Sequence, residues 1–145
     1  MVLGHERLDV YRLSIEYVAW VFKKIGTLAG CHRHARDQWL RASQSIPLNI
    51  AEGNGKSGAR DRRRYFEIAR GSALECAAIQ DVLVVSCVLD KEESRKCKAD
   101  LDRIAAMLSR LSERGFRENP DSKCHRMNPI DPEPEPDPDS DRDSD

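Results

Sequence analysis

The stretch from Gln38 to Cys76, QWLRASQSIPLNIAEGNGKSGARDRRRYFEIARGSALEC, constrains the fold more than any other part of the chain. Apolar residues recur every three or four positions on both sides of a glycine-rich interruption. Before it, Trp39, Ala42, Ser43, Ile46 and Ile50 share one helical face, and Arg41, Ser45, Leu48 and Glu52 share another. After it, Tyr65, Phe66, Ala69, Ala73, Cys76, Ala77, Leu83, Val84 and Cys87 form an apolar face. The pattern predicts two long helices joined by a tight turn. Asp37 is the expected N-cap of the first helix. Pro47 lacks a backbone donor and is expected to bend or interrupt that helix near Ser43–Ser45, whose hydroxyls could serve the freed carbonyls. Gly53, Asn54, Gly55 and Gly58 are expected to end it through a left-handed cap. The next helix is expected from about Arg60 to Leu89. Within it, Gly71 costs about 1 kcal/mol relative to alanine, which points to close approach of another backbone at Gly71–Ser72–Ala73.

Two further periodic segments flank this pair. In residues 7–28, Leu8, Tyr11, Ile15, Val18, Phe22 and Ile25 form one stripe. Trp20 lies off it, placed either against another subunit or beneath a neighbouring loop. Asp90 and Glu93 form a D-x-x-E capping box for a last helix over about Lys91 to Arg114, with Cys97, Leu101, Ile104, Leu108 and Leu111 as its stripe and Gly115 ending it. Four helices of similar length with short connectors predict an all-α, antiparallel four-helix bundle over residues 1–118. Composition changes near Asn119: the eight aromatic residues precede it and six of the seven prolines follow it. From Pro120 to Asp145 nine acidic side chains stand against three basic ones, a net of −6, whereas residues 1–119 carry 21 basic and 16 acidic side chains, a net of +5. Residues 119–145 are therefore expected to be a disordered acidic tail on a basic body.

The chemistry on offer is limited. The connector GCHRHAR holds Cys31, His32 and His34, but four-coordinate zinc needs a second cluster, and none has suitable spacing. The five cysteines form no CxxC pair and are read as reduced, two or three of them as small core residues. GNGKSG lacks the spacing of a nucleotide phosphate loop and no strand precedes it. Glu52 and Glu75 are helical carboxylates, yet a di-iron bundle needs Glu-x-x-His pairs and none occurs. No nucleophile–base arrangement is visible, so the chain is read as a non-enzyme without metal or cofactor. No apolar run reaches the roughly 20 residues that span a bilayer, and MVLGHERLDV lacks the regions of a signal peptide, so the expected compartment is the cytoplasm.

Three blocks carry a family resemblance: Leu8-Asp9-Val10-Tyr11; Gln38 with Arg41-Ala42-Ser43-x-Ser45-Ile46-Pro47-x-Asn49-Ile50-Ala51-Glu52-Gly53; and Ile68-Ala69-Arg70-Gly71-Ser72-x-x-Glu75. Through them residues 8–111 resemble the four-helix-bundle family first noticed as reading frames inside intervening sequences of bacterial 23S rRNA genes. The resemblance implies a homopentameric barrel of bundles. It also implies similarity to the accessory variability determinant, which partners the reverse transcriptase of diversity-generating retroelements and binds nucleic acid. The basic run Arg62-Arg63-Arg64 departs from the apolar residue expected there in relatives, and the acidic tail is no part of the resemblance.

Two functional readings follow. Lys56, Arg60, Arg62, Arg63 and Arg64 cluster at the second helix–helix turn, as a phosphate-binding surface for RNA or DNA with little sequence preference would require. The bland alternative is a solvated basic helix end. The second reading is a protein–protein scaffold, for example an accessory subunit of a retroelement reverse transcriptase. Arg41, Asn49, Glu52, Arg70 and Glu75 are read as a polar network or interface that fixes helix or subunit register.

Overall fold

A computed structural model describes residues 1–28 and 30–117; the expected acidic tail lies outside the described residues. The chain opens with a 3-10 turn at Gly4–Arg7, followed by four α-helices: α1 (Asp9–Ile25), α2 (Arg33–Gly55), α3 (Ala59–Val85) and α4 (Lys91–Arg117). A second 3-10 turn, Gly30–His32, leads into α2. Each helix packs antiparallel to the next, and α4 closes the bundle against α1. Gly4 lies beside Asn54, so the start of α1, the end of α2, the start of α3 and the end of α4 share one end of the bundle. No helix among the described residues is long and apolar enough to cross a membrane.

The core draws on all four helices: Val10, Tyr17 and Val21; Trp39, Ala42, Ile46 and Ile50; Phe66, Ala69, Ala73, Cys76 and Leu83; Leu101, Ile104 and Leu108. On α2, α3 and α4 these residues follow the spacing expected from sequence. Helix α1 is rotated from its expected stripe. Val10, Ser14, Tyr17 and Val21 face inward, while Ile15 and Phe22 are exposed. The cause is polar. The Tyr17 hydroxyl accepts hydrogen bonds from Trp39 Nε1 at 3.0 Å and Gln80 Nε2 at 2.7 Å, and Ser94 Oγ donates to Gln80 Oε1 at 3.3 Å. Trp20 is half-buried between helices rather than beneath a loop. Its ring meets Trp39 edge-on at 5.4 Å, and its Nε1 donates to Glu93 Oε1 at 3.1 Å. These bonds form only with α1 in this rotation, and buried donors left without partners are expensive.

The helix ends also differ from expectation. Helix α2 starts at Arg33, so Asp37 lies within it. It continues through buried Pro47 to Gly55. Beyond the proline, the Asn49 side-chain amide donates to Ser45 O at 2.8 Å, while Ser43 Oγ turns back to Leu40 O. Among the described residues no glycine has a positive φ. Gly53 is needed for contact instead: a Cβ there would stand 3.0 Å from Phe66 Cε1 and 3.0 Å from Tyr65 Cβ. Helix α3 ends earlier than Leu89, and the left-handed residue is Cys87, with φ 58°. Bonds from Cys87 N to Val84 O and from Val88 N to Leu83 O complete a Schellman cap. Cys87 is thereby exposed rather than part of the core. Asp90 Oδ2 caps α4 by accepting from Glu93 N at 3.0 Å, and α4 runs past Gly115 to Arg117.

Candidate nucleic-acid interface

The basic run enters α3 through its first two turns. Gly58 provides the N-cap position without a side-chain cap, and the first helical bond runs from Arg62 N to Gly58 O. Helical periodicity then fixes where each arginine points. Arg62 belongs to the line of Phe66, Ala69, Ala73, Cys76, Gln80 and Leu83, which is buried from Phe66 onward. At the bundle end that line opens into a cavity of about 320 Å³, lined by Ser57, Ala59, Arg62, Arg63, Leu111, Ser112 and Arg114. Arg60 and Arg64 lie elsewhere on the exposed surface of the same two turns.

Charge pairing sorts the five expected residues. Lys56 Nζ stands 3.2 Å from Glu52 Oε1 and 5.3 Å from the Tyr65 ring centroid. The hydrogen bond to Glu52, then the charge of Tyr65, holds the Lys56 ammonium above the usual lysine range. Arg63 Nε donates to Glu67 Oε1 at 2.7 Å. Arg60, Arg62 and Arg64 are exposed and make no ion pair among the described residues. Arg114, absent from the sequence reading, joins Arg62 and Arg63 because the antiparallel topology returns the end of α4 to the start of α3. Helix direction alone held that signal.

The second expected group does not assemble within one chain. Asn49 bonds locally to Ser45, whose Oγ also accepts from Ser72 Oγ at 2.8 Å across the α2–α3 contact. Glu52 pairs with Lys56, and Arg41, Arg70 and Glu75 are exposed without an ion pair among the described residues. Around them lies an apolar surface: Leu48 on α2, and Ile68, Leu74, Val82 and Val85 on α3, the last 80% exposed. Gly71 stands on this α3 face, and a Cβ there would meet nothing within 4 Å. Ser72 and Ala73, in contrast, are buried.

Among the described residues no group of three or more His, Cys, Asp or Glu is placed to hold a metal ion. Cys31, Cys76, Cys87 and Cys97 are free thiols. The family model of the 23S rRNA-intervening sequence protein matches residues 6–110, spanning all three motif blocks and most of every helix. The chain belongs to this family. A solved structure from Bacteroides thetaiotaomicron VPI-5482, described as a protein of unknown function from the S23 ribosomal protein family, superposes with a TM-score of 0.67 at 21% identity, covering 72% of this chain and 98% of that one. At that identity the likeness extends to the fold alone. No curated protein matches the chain. In this intervening-sequence protein, then, neither the family nor the structural neighbour supplies a catalytic assignment.

Proposed function

We propose that this protein is a cytoplasmic, non-enzymatic, self-assembling bundle that binds RNA or DNA through the basic end of each subunit. The observation that carries the reading is the group Arg60, Arg62 and Arg64, three exposed guanidiniums without ion pairs among the described residues at one helix start. Surface cations with carboxylate partners are largely neutralised, whereas unpaired ones attract phosphate and release counterions. The homopentamer implied by the family would repeat this end in every subunit and multiply the contacts. The apolar face of Leu48, Ile68, Leu74, Val82 and Val85 supports self-association, with Arg41, Glu52, Arg70 and Glu75 along its borders. Among the described residues the basic end offers cations for phosphate rather than paired donors and acceptors for base edges, so little sequence preference is expected. The same apolar face favours one alternative, a scaffold for another protein such as a reverse transcriptase.

The test is binding of fluorescent single-stranded RNA and DNA by nuclease-treated protein across a salt series. The logarithm of the affinity should fall linearly with that of salt, with a slope of about −0.7 per phosphate contacted on single strands. Reversal of Arg60, Arg62 and Arg64 to Glu should abolish binding without changing helicity. Absence of binding at low salt sinks the reading.

A further inference from the structure

The cavity at the basic end is a different object from the convex surface around it. Two helices supply its charge: Arg62 and Arg63 from the start of α3, and Arg114 from the end of α4. Ser57 and Ser112 bring hydroxyls, Ala59 places the uncapped start of α3 at its wall, and Leu111 forms the apolar side. Ser112 is only 8% exposed, and its hydroxyl, which bonds to no described residue but is not fully buried, is among the groups that line the cavity. Arg62 and Arg114 likewise have no ion-pair partner among the described residues.

We propose that this recess binds a phosphate monoester, supplied in the proposed function by the phosphorylated end of a nucleic-acid strand. This rests on the nucleic-acid reading for the source of the ligand, not for the chemistry of the site. Guanidinium groups match phosphate oxygens with paired, charge-assisted hydrogen bonds. The start of α3 adds backbone donors and the favourable end of its dipole, opposed by Asp61 in the same turn and by the end of α4. The monoester, rather than an internal diester, is selected by shape and charge. A passing strand is flanked by sugar on both sides and suits an open surface, whereas a volume of about 320 Å³ walled by two helices accepts a chain end. A monoester also carries about −1.5 to −2 charges at pH 7, with three accepting oxygens, which suits the guanidiniums of Arg62 and Arg114 together with two hydroxyls.

The test compares full-length protein binding to one short single strand in two forms, 5′-phosphorylated and 5′-hydroxyl, labelled at the 3′ end, with a 3′-phosphorylated strand as a third arm. One phosphorylated end should bind about tenfold tighter than the hydroxyl form, as one added charge-assisted contact set implies. Arg114→Ala and Arg62→Ala should erase that preference. Arg110→Ala, an exposed α4 arginine that does not line the cavity, should preserve it. In parallel, inorganic phosphate against chloride at equal ionic strength should shift the amide resonances of Ser57, Arg62 and Ser112. Phosphate shifts without binding of any strand would retain the monoester site and remove the nucleic-acid reading. Strand binding with no end preference and no phosphate shifts would remove the site and retain that reading. Equal losses for Arg110→Ala and Arg114→Ala would show a diffuse charge effect and overturn the site. So would a cavity held against phosphate by the chain's own carboxylates, seen as unmoved resonances.

Discussion

Tyr17 shows how a single residue sets the inside of this bundle. Its hydroxyl serves two buried donors from two other helices, Trp39 and Gln80. Tyr17→Phe keeps the ring and strands both donors, so unfolding in urea should show a loss of about 2–4 kcal/mol, since an unsatisfied buried donor costs ~1–3 kcal/mol. A loss below about 0.5 kcal/mol would mean that the network is not closed as described. Cys76 lies against the same hydroxyl. Burial, the largest cause, pushes its thiol from the ordinary 9.0 to about 12, and burial likewise raises the Tyr17 phenol well above its ordinary 10.0. Both groups are neutral in the folded and unfolded chains below pH ~9, so their full contribution is present there. Above that, the unfolded chain ionises first and stability falls by about 1.4 kcal/mol per pH unit for each group engaged. Burial also raises the Cys97 thiol, to about 11, so melting temperature should begin to drop near pH ~9 in both the parent and Cys76→Ala, but less steeply in the variant. Equal slopes would dissociate Cys76 from the alkaline transition.

At the scale of elements, α3 separates two uses of special backbone positions. Gly53 on α2 lets Tyr65 and Phe66 of α3 approach closely. Gly53→Ala adds helix propensity but forces atoms to 3.0 Å, including Tyr65 Cβ, which cannot move independently of its backbone. Overpacking of this kind costs ~1–3 kcal/mol against a propensity gain of about 1, so a net loss of about 0–2 kcal/mol should appear in thermal unfolding. At the other end of α3, Cys87 occupies a left-handed cap position usually given to glycine. Cys87→Gly relieves that conformation and should raise stability by about 0.5–1 kcal/mol. A decrease would show that the thiol makes a contact worth more than the backbone strain.

Across the whole molecule, charge and apolar surface are segregated. Arg60, Arg62 and Arg64, without ion pairs among the described residues, gather where α2 ends and α3 begins, while exposed Val82 and Val85 lie towards the opposite end of α3. Assembly through the α3 face would leave the basic ends available to phosphate. Val82→Asp with Val85→Asp should shift sedimentation from an oligomer towards the monomer, with far-ultraviolet circular dichroism unchanged because both positions are exposed in one chain. A monomeric parent would remove the pentamer from the proposed function. Glu52→Ala should cost below about 1 kcal/mol within the subunit, because the Glu52–Lys56 pair is exposed. Any larger loss must come from a neighbouring chain, and it should then depend on protein concentration.

The number of helices, their approximate extents, most of the core on α2, α3 and α4, and the position of the basic run were legible in the sequence. Each depends on periodicity or on neighbours within one helical turn. The family was legible as well, through blocks such as Arg41–Gly53 and Ile68–Glu75. The facing of helix α1 was legible only in part: of the expected stripe, Leu8, Tyr11 and Ile25 pack against the core, whereas Ile15 and Phe22 are exposed. Periodicity defines a stripe, but its facing is decided by partners far along the chain, here Trp39, Gln80 and Glu93. The roles of Gly53 and Cys87 were hidden for a related reason: glycine reports freedom of backbone or lack of side chain, and only packing tells which. The cavity required tertiary structure most of all. Arg62 and Arg114 belong to different helices, and only closure of the bundle brings their charges, and the hydroxyl of Ser112, to one recess.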